Sequence, residues 1–179
     1  MMLTKLLSRE DCAKCGECCI FSRYDIWEQP ALSADVRQKA EMLLPDAEFV
    51  AKGKESCLFR IRETDKYDLF LCPLLDTENG CMLDAEKPFE CQIYPFQVTE
   101  INSHLAIILS MLCDVTAKKP ISELVDFLKE GTAEKIFSYA QLHPDVIRPY
   151  DFMSPVLIWK HETPQNFNLE ESNYVNSKL

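Results

Sequence analysis

The chain has 179 residues, 47% hydrophobic and 27% charged, a balance that supports an ordinary core and excludes a wholly disordered chain. Its formal net charge is −10, with 19 Lys and Arg against 29 Asp and Glu, so no basic face is expected. Binding to phosphates is driven by counterion release from such a face, which argues against nucleic acid and anionic membrane as partners. The longest strongly apolar run, Leu105 to Leu112, falls far short of the ~20 residues that a membrane-spanning helix needs.

The start of the chain, Met1 to Ser8, has too short an apolar stretch for a signal peptide, and Glu10-Asp11 follow at once. A cytoplasmic location is therefore expected. Thiols stay reduced in that compartment, so the 9 cysteines are poor material for a disulfide framework. Their odd number would also leave one unpaired, and metal ligation explains them better.

Four cysteines fall in the run Cys12-x2-Cys15-Gly16-x-Cys18-Cys19. A C-x2-C spacing lets a tight turn aim two sulfurs at one ion, and Gly16 permits the backbone angles that such a turn requires. The vicinal Cys18-Cys19 pair differs, because neighbouring side chains diverge. Such a pair feeds two neighbouring centres, or a multinuclear cluster, more naturally than one tetrahedral ion.

Beyond this run, Ser33 is placed to cap a helix carrying Val36, Ala40, Leu43 and Leu44 on one face, which Pro45 ends. Cys57 to Arg62 and Lys66 to Leu71 read as two strands around Glu63-Thr64-Asp65. A second pair, Tyr94 to Ile101 and His104 to Leu112, turns at Asn102-Ser103. Its later strand is apolar on both faces from Leu105 to Leu109 and is expected to be central. Pro120 opens a helix with Ile121, Leu124, Val125 and Leu128 on one face, and Gly131 closes it. Thr132 is expected to cap a second helix bearing Ile136, Phe137 and Ala140, which ends before Pro144.

These elements predict an α+β fold: a small antiparallel sheet and helices around a cysteine metal cluster, with a two-helix C-terminal segment. Residues 1–160 are expected to form a single cysteine-cluster domain. It comprises a cysteine part over 12–113, a helical part over 120–143 and an extended arm over 145–160. Residues 161–179 read as a flexible polar tail.

Downstream of the first run, Cys72 and Cys81 bracket the turn-forming Asp76-Thr77-Glu78-Asn79-Gly80, which can fold the two together. Pro88 is placed to start a short helical turn carrying Cys91. With Cys113 these make eight candidate ligands, or two sets of four, which suits two tetrahedral sites or one cluster plus one ion.

Taken together, Cys12-x2-Cys15-Gly16-x-Cys18-Cys19, Cys72-Pro73-Leu74-Leu75-Asp76 to Cys81, and Pro88-x2-Cys91 to Pro95-Phe96 resemble the YkgJ-like CxxCxxCC family of zinc- or iron-chelating proteins. The resemblance spans about residues 12–113. It implies metal ligation by Cys12, Cys15, Cys18, Cys19, Cys72, Cys81, Cys91 and Cys113. Some relatives carry names such as iron–sulfur oxidoreductase, and flagellin lysine methylases contain a related module. The family tends to have Arg before the Pro that precedes the third downstream cysteine and Arg after that cysteine, where this chain has Lys87 and Gln92. Lys87 keeps the charge but not the bidentate fork of a guanidinium.

Zinc suits four-sulfur tetrahedral coordination, whereas the C-x2-C-x2-C-x3-C-P spacing of bacterial ferredoxins is not met. Zinc therefore stands slightly ahead of iron. Cys57 lies outside the pattern and reads as a structural thiol. His104, His143 and His161 lack ligand spacing, and Asp76, Glu78 and Asp84 read as solvated loop carboxylates. Phe89, Tyr94 and Phe96 are expected to pack around the site. No phosphate loop, nucleophile elbow or Ser-His-Asp order is present. The leading expectation is a metal-binding protein. The alternatives are an iron–sulfur protein with redox or group-transfer activity, or a metal-stabilised scaffold whose Ile121–Leu142 helices dock a protein.

Overall fold

The computed structural model describes residues 3, 5–22, 27–60 and 69–163. They fold as mixed α+β with small antiparallel sheets. Two compact units are distinguished: the described residues of Met1–Pro95 with Met111–Lys118, and those of Phe96–Ser110 with Lys119–Leu179.

The first unit contains every cysteine. It begins with α1 (Arg9–Cys15), where the Ser8 hydroxyl oxygen accepts from the Asp11 N–H at 3.0 Å and Glu10 and Asp11 occupy the first turn. Both features stabilise a helix N-terminus. A 3₁₀ turn over Glu17–Cys19 leads into β1 (Ile20–Ser22). Next comes α2 (Ala34–Leu43), capped by Ser33 and ended before Pro45 as the sequence indicates.

Strands β2 (Phe49–Lys52) and β3 (Ser56–Phe59) form a hairpin. β4 (Leu69–Leu71) pairs antiparallel with β1. The expected hairpin of Cys57 to Arg62 with Lys66 to Leu71 is therefore corrected, since each described strand has another partner. The turn that decides this is Lys52-Gly53-Lys54-Glu55, with Gly53 at φ +65°, which folds β3 back on the preceding strand. Residues 61–68, including the expected turn, lie outside the described residues.

The unit continues through β5 (Leu75–Asp76) and β6 (Gly80–Cys81), which pair with each other, then α3 (Phe89–Ile93) and α4 (Asp114–Ala117). Leu32, Ala40, Cys57, Phe59, Leu74 and Leu83 form a core cluster beside the Phe49–Phe59 ring pair, whose centroids are 5.1 Å apart.

In the second unit, β7 (Phe96–Ile101) and β8 (His104–Leu109) form a hairpin through Asn102 and Ser103, both at positive φ. β8 is central, as its two apolar faces indicate. Its other neighbour is β9 (Val156–Trp159), paired through Ala106↔Trp159 and Ile107↔Ile158. The expected extended arm over 145–160 thus contributes a sheet strand. A run of Val-Leu-Ile-Trp offers β-branched and aromatic side chains to a half-buried surface, and the flanking Pro155 obscured that signal.

Helices α5 (Ile121–Phe127) and α6 (Ala133–Leu142) bury Leu124, Ile136, Phe137 and Ala140. Gly131, at φ +95°, breaks the chain between them. The expected Thr132 cap is corrected: its backbone is already helical, and its hydroxyl makes no capping bond. At the end of the described chain, a turn over Lys160–Glu162 is closed by the Thr163 hydroxyl donating to the Lys160 carbonyl at 2.7 Å. The rest of the expected tail, 164–179, lies outside the described residues. No helix among the described residues is long and apolar enough to cross a membrane.

Candidate metal centre

The first cysteine run is shaped by one residue. Gly16 adopts φ +63° and donates its N–H to the Cys12 carbonyl at 3.0 Å, ending α1 in a left-handed cap. The chain reverses there, so Cys18 and Cys19 turn back towards the helix that carries Cys12 and Cys15.

The second group reaches the first through backbone bonds. In the β1–β4 pair, Ile20 faces Leu71, and the next bond outward runs from the Cys72 N–H to the Cys19 carbonyl at 2.7 Å. Cys72 is thereby held beside Cys19. The Asp76 Oδ1 accepts the N–H groups of Glu78 and Asn79 at 2.8 Å each, folding the turn that sets Cys81 opposite Leu75. Those bonds, that of Asn79 first, hold the Asp76 carboxyl below its usual range.

Close packing then joins the two groups. A Cβ built on Gly80, which sits at φ +85°, would lie 3.2 Å from the Ala13 Cβ. Only glycine allows α1 to approach the β5–β6 turn so closely.

Cys91 lies in α3, as Pro88 suggested, and the neighbouring Glu90 carboxylate is buried and accepts from the Ala31 N–H. Cys113 lies beyond β8, half-buried, at the N-cap position of α4, where its side chain makes no capping bond.

These placements surround two cavities within the first unit. One, of about 60 Å³, is lined by Cys12, Cys18, Cys19, Cys72, Cys81 and Cys91. The other, of about 30 Å³, is lined by Cys12, Cys15, Cys18, Cys91 and Cys113. Cys12, Cys18, Cys91 and Lys87 belong to both walls. Spaces this small hold a few water-sized atoms, well below the ~300 Å³ at which organic-ligand pockets begin.

All eight cysteines of the sequence pattern line one cavity or both. Cys57 lines neither; it is buried in the core, where its thiol faces the Leu32 carbonyl at 3.8 Å.

The electrostatics follow from burial and crowding. The Cys18 thiol is pushed well up, first by its hydrogen bond with Cys19 and then by burial. Burial is the main cause that raises Cys12, Cys72 (to about 11) and Cys91 (well above the usual thiol range). Neighbouring sulfurs add to each shift, because a second thiolate beside the first is disfavoured. Lys87 opposes the rise at Cys12, Cys18 and Cys91, and among the described residues it is the one cationic side chain lining either cavity. Sequence reasoning noted its charge but had no signal for this position between the two groups.

Thiols are the donor type that soft or borderline metal ions take. The distances are not closed on a point. Among the described residues, no group of three or more Cys, His, Asp or Glu side chains is gathered tightly enough to hold one ion. The cysteines line the cavities, and among the described residues the cysteine metal cluster expected at the centre of the fold is not shown as a ligand set.

Other singled-out residues divide. Asp84 lines the larger cavity and Tyr94 the smaller, whereas Phe96 lines neither and stacks on Phe127 in the second unit. His104, His143 and His161 also lie in the second unit, with His143 packed 4.3 Å from the Tyr139 ring. The apolar wall of the larger cavity, formed by Phe21, Leu32, Phe59 and Leu74, was not singled out from the sequence, where these residues read only as core. No protein-family model, curated protein or solved structure matches the chain.

Proposed function

We propose that this is a metal-binding protein that chelates zinc or iron through the thiolates of Cys12, Cys15, Cys18, Cys19, Cys72, Cys81, Cys91 and Cys113. One observation carries the reading: these eight cysteines line two small cavities that share three of them, while Cys57 packs in the core. Reduced thiols tuned only for packing would have no reason to segregate this way. The resemblance of the same residues to the YkgJ-like CxxCxxCC pattern supports it independently of the packing.

A bound cation would supply the positive charge that the crowded thiols lack and would replace their protons. Zinc stands slightly ahead, because it takes four thiolates in a tetrahedron and needs no assembly machinery; an iron–sulfur cluster takes the same ligand type. The reducing cytoplasm is the compartment in which such thiols remain available.

The test is anaerobic purification followed by metal analysis and an absorption spectrum. Zinc or iron in stoichiometric amount is expected, with visible absorption only if iron is present. Cys15→Ser should lose metal and Cys57→Ser should not. Equal loss from both would show that the ligand set is drawn wrongly.

A second reading, an iron–sulfur protein with redox or group-transfer activity, is favoured by one feature. An open groove of about 300 Å³, lined by Leu44, Pro45, Arg60 and Pro73 among others, shares Phe59 with the larger cysteine cavity. That is the size of a small-molecule site. Reversible bleaching of a visible band by a reductant would distinguish this reading from simple chelation.

A further inference from the structure

We propose that Cys19 and Cys72 form an oxidative modification site: a cross-strand dithiol that a small disulfide of the oxidised-glutathione type converts to a Cys19–Cys72 disulfide. The proposal goes beyond chelation and needs no bound ion, since a disulfide takes two sulfurs where a tetrahedral metal site takes four ligands.

Strand register sets the pair. Ile20 lies opposite Leu71, so one step outward Cys19 lies opposite Cys72, where the Cys72 N–H donates to the Cys19 carbonyl at 2.7 Å. Residues opposed at a hydrogen-bonded position have Cα atoms about 5.5 Å apart, inside the span of about 4.4–6.8 Å that a disulfide bridges. Phe21 and Phe70, the next opposed pair on that face, are both buried, and Cys19, Cys72 and Phe21 line the same cavity. Among the described residues no other two cysteines are so opposed. Cys57 faces Ala51 and Leu32, and Cys81 faces Leu75.

One distance must change. Opposed Cβ atoms lie about 4.5–5.5 Å apart, whereas a disulfide holds them at about 3.5–4.5 Å. A pair strapped by both ladder bonds would resist that closure. Here one strap is missing: the Cys19 N–H donates to the Gly16 carbonyl at 2.9 Å, and the Cys72 carbonyl accepts from the Leu75 N–H at 2.9 Å. The ladder is therefore loose at the end that must close. Both residues are half-buried free thiols, within reach of a small oxidant.

In the first step one of the two thiols gives up its proton and its sulfur bonds to a sulfur of the small disulfide. The S–S bond of that disulfide breaks, and the departing thiolate takes up a proton. The facing thiol then loses its proton and attacks the protein sulfur of the mixed disulfide, and the second small thiol leaves in the same way. Two protein thiols are oxidised by two electrons, and the small disulfide is reduced to two thiols. In a reducing compartment such a bond is transient and senses oxidation. It ties the two cysteine groups together covalently and withdraws two thiols from any ion.

The experiment equilibrates the full chain, treated with chelator, in mixtures of reduced and oxidised glutathione. Alkylation quenches the exchange, and tandem mass spectrometry locates the bonds. The first bond is expected between Cys19 and Cys72, reversed by dithiothreitol. The oxidised form should keep the circular dichroism of the reduced form and unfold at higher urea, because the cross-link closes a long loop. Cys19→Ser and Cys72→Ser should each trap a mixed disulfide on the remaining partner, and Cys57→Ser should form the bond as wild type does. A first bond at another pair, Cys18–Cys19 or Cys12–Cys15 included, mixed disulfides alone in the wild type, or loss of the fold on oxidation would overturn the proposal. Metal analysis of the untreated protein tests chelation separately.

Discussion

The Cys72 backbone N–H donates to the Cys19 carbonyl at 2.7 Å, one step beyond the Ile20–Leu71 pair that ends the β1–β4 ladder. Two cysteines far apart in sequence are thus made neighbours by strand pairing. Phe70→Pro would remove a ladder donor from β4, since Phe70 lies in the same hydrogen-bonding phase as Cys72, without touching a thiol. Loss of bound metal in this variant is expected, measured by metal analysis of the folded fraction. Full metal content would show that the ladder does not position Cys72.

A comparison of two glycines tests the close approach of α1 to the β5–β6 turn. Both Gly16 and Gly80 have positive φ, but only Gly80 faces a neighbour, Ala13. Gly16→Ala should cost about 1–2 kcal/mol, the strain of a left-handed residue. Gly80→Ala should cost more, since the 3.2 Å contact adds to the same strain. Urea denaturation midpoints check the order, and equal midpoints would contradict the packing.

The metal-free protein should lose stability in alkali. Cys72 ionises near its ordinary value of 9.0 when unfolded but is pushed up to about 11 when folded, chiefly by burial. Between these values the unfolded state binds fewer protons, so unfolding becomes easier as pH rises. The contribution is complete below about pH 9 and is lost as pH rises through about 11. Thermal melts of chelated protein across this window should fall more steeply for wild type than for Cys72→Ala.

Lys87 faces both cavities and favours ionisation of Cys12, Cys18 and Cys91. Lys87→Met should shift thiolate formation in the metal-free protein to higher pH, followed by ultraviolet absorption of the thiolate, whereas Lys87→Arg should retain the wild-type curve. Superimposable curves for all three would remove Lys87 from the site's electrostatics.

The legible parts of the sequence were those governed by local chemistry. Ser33 and Pro45 bounded α2, Asn102-Ser103 marked the β7–β8 turn, and Pro88 opened the helix carrying Cys91. What stayed hidden was set by distant partners. β1 and β4 are three residues each, too short for alternation to identify them, and they pair across the intervening chain. β9 was masked by prolines around an otherwise clear β-branched run. In the site, the eight cavity-lining cysteines were candidates from their spacing together with the resemblance to the CxxCxxCC pattern. Their division between two cavities was not, because it depends on Gly80 meeting Ala13 and Cys72 meeting Cys19.

The most direct measurement is the metal content of anaerobically purified protein set against its titratable thiols. Bound zinc or iron, with the eight cavity-lining cysteines protected from a thiol reagent until the metal is removed, is the expected result. A metal-free protein whose cysteines react at once would contradict thiolate ligation at this site.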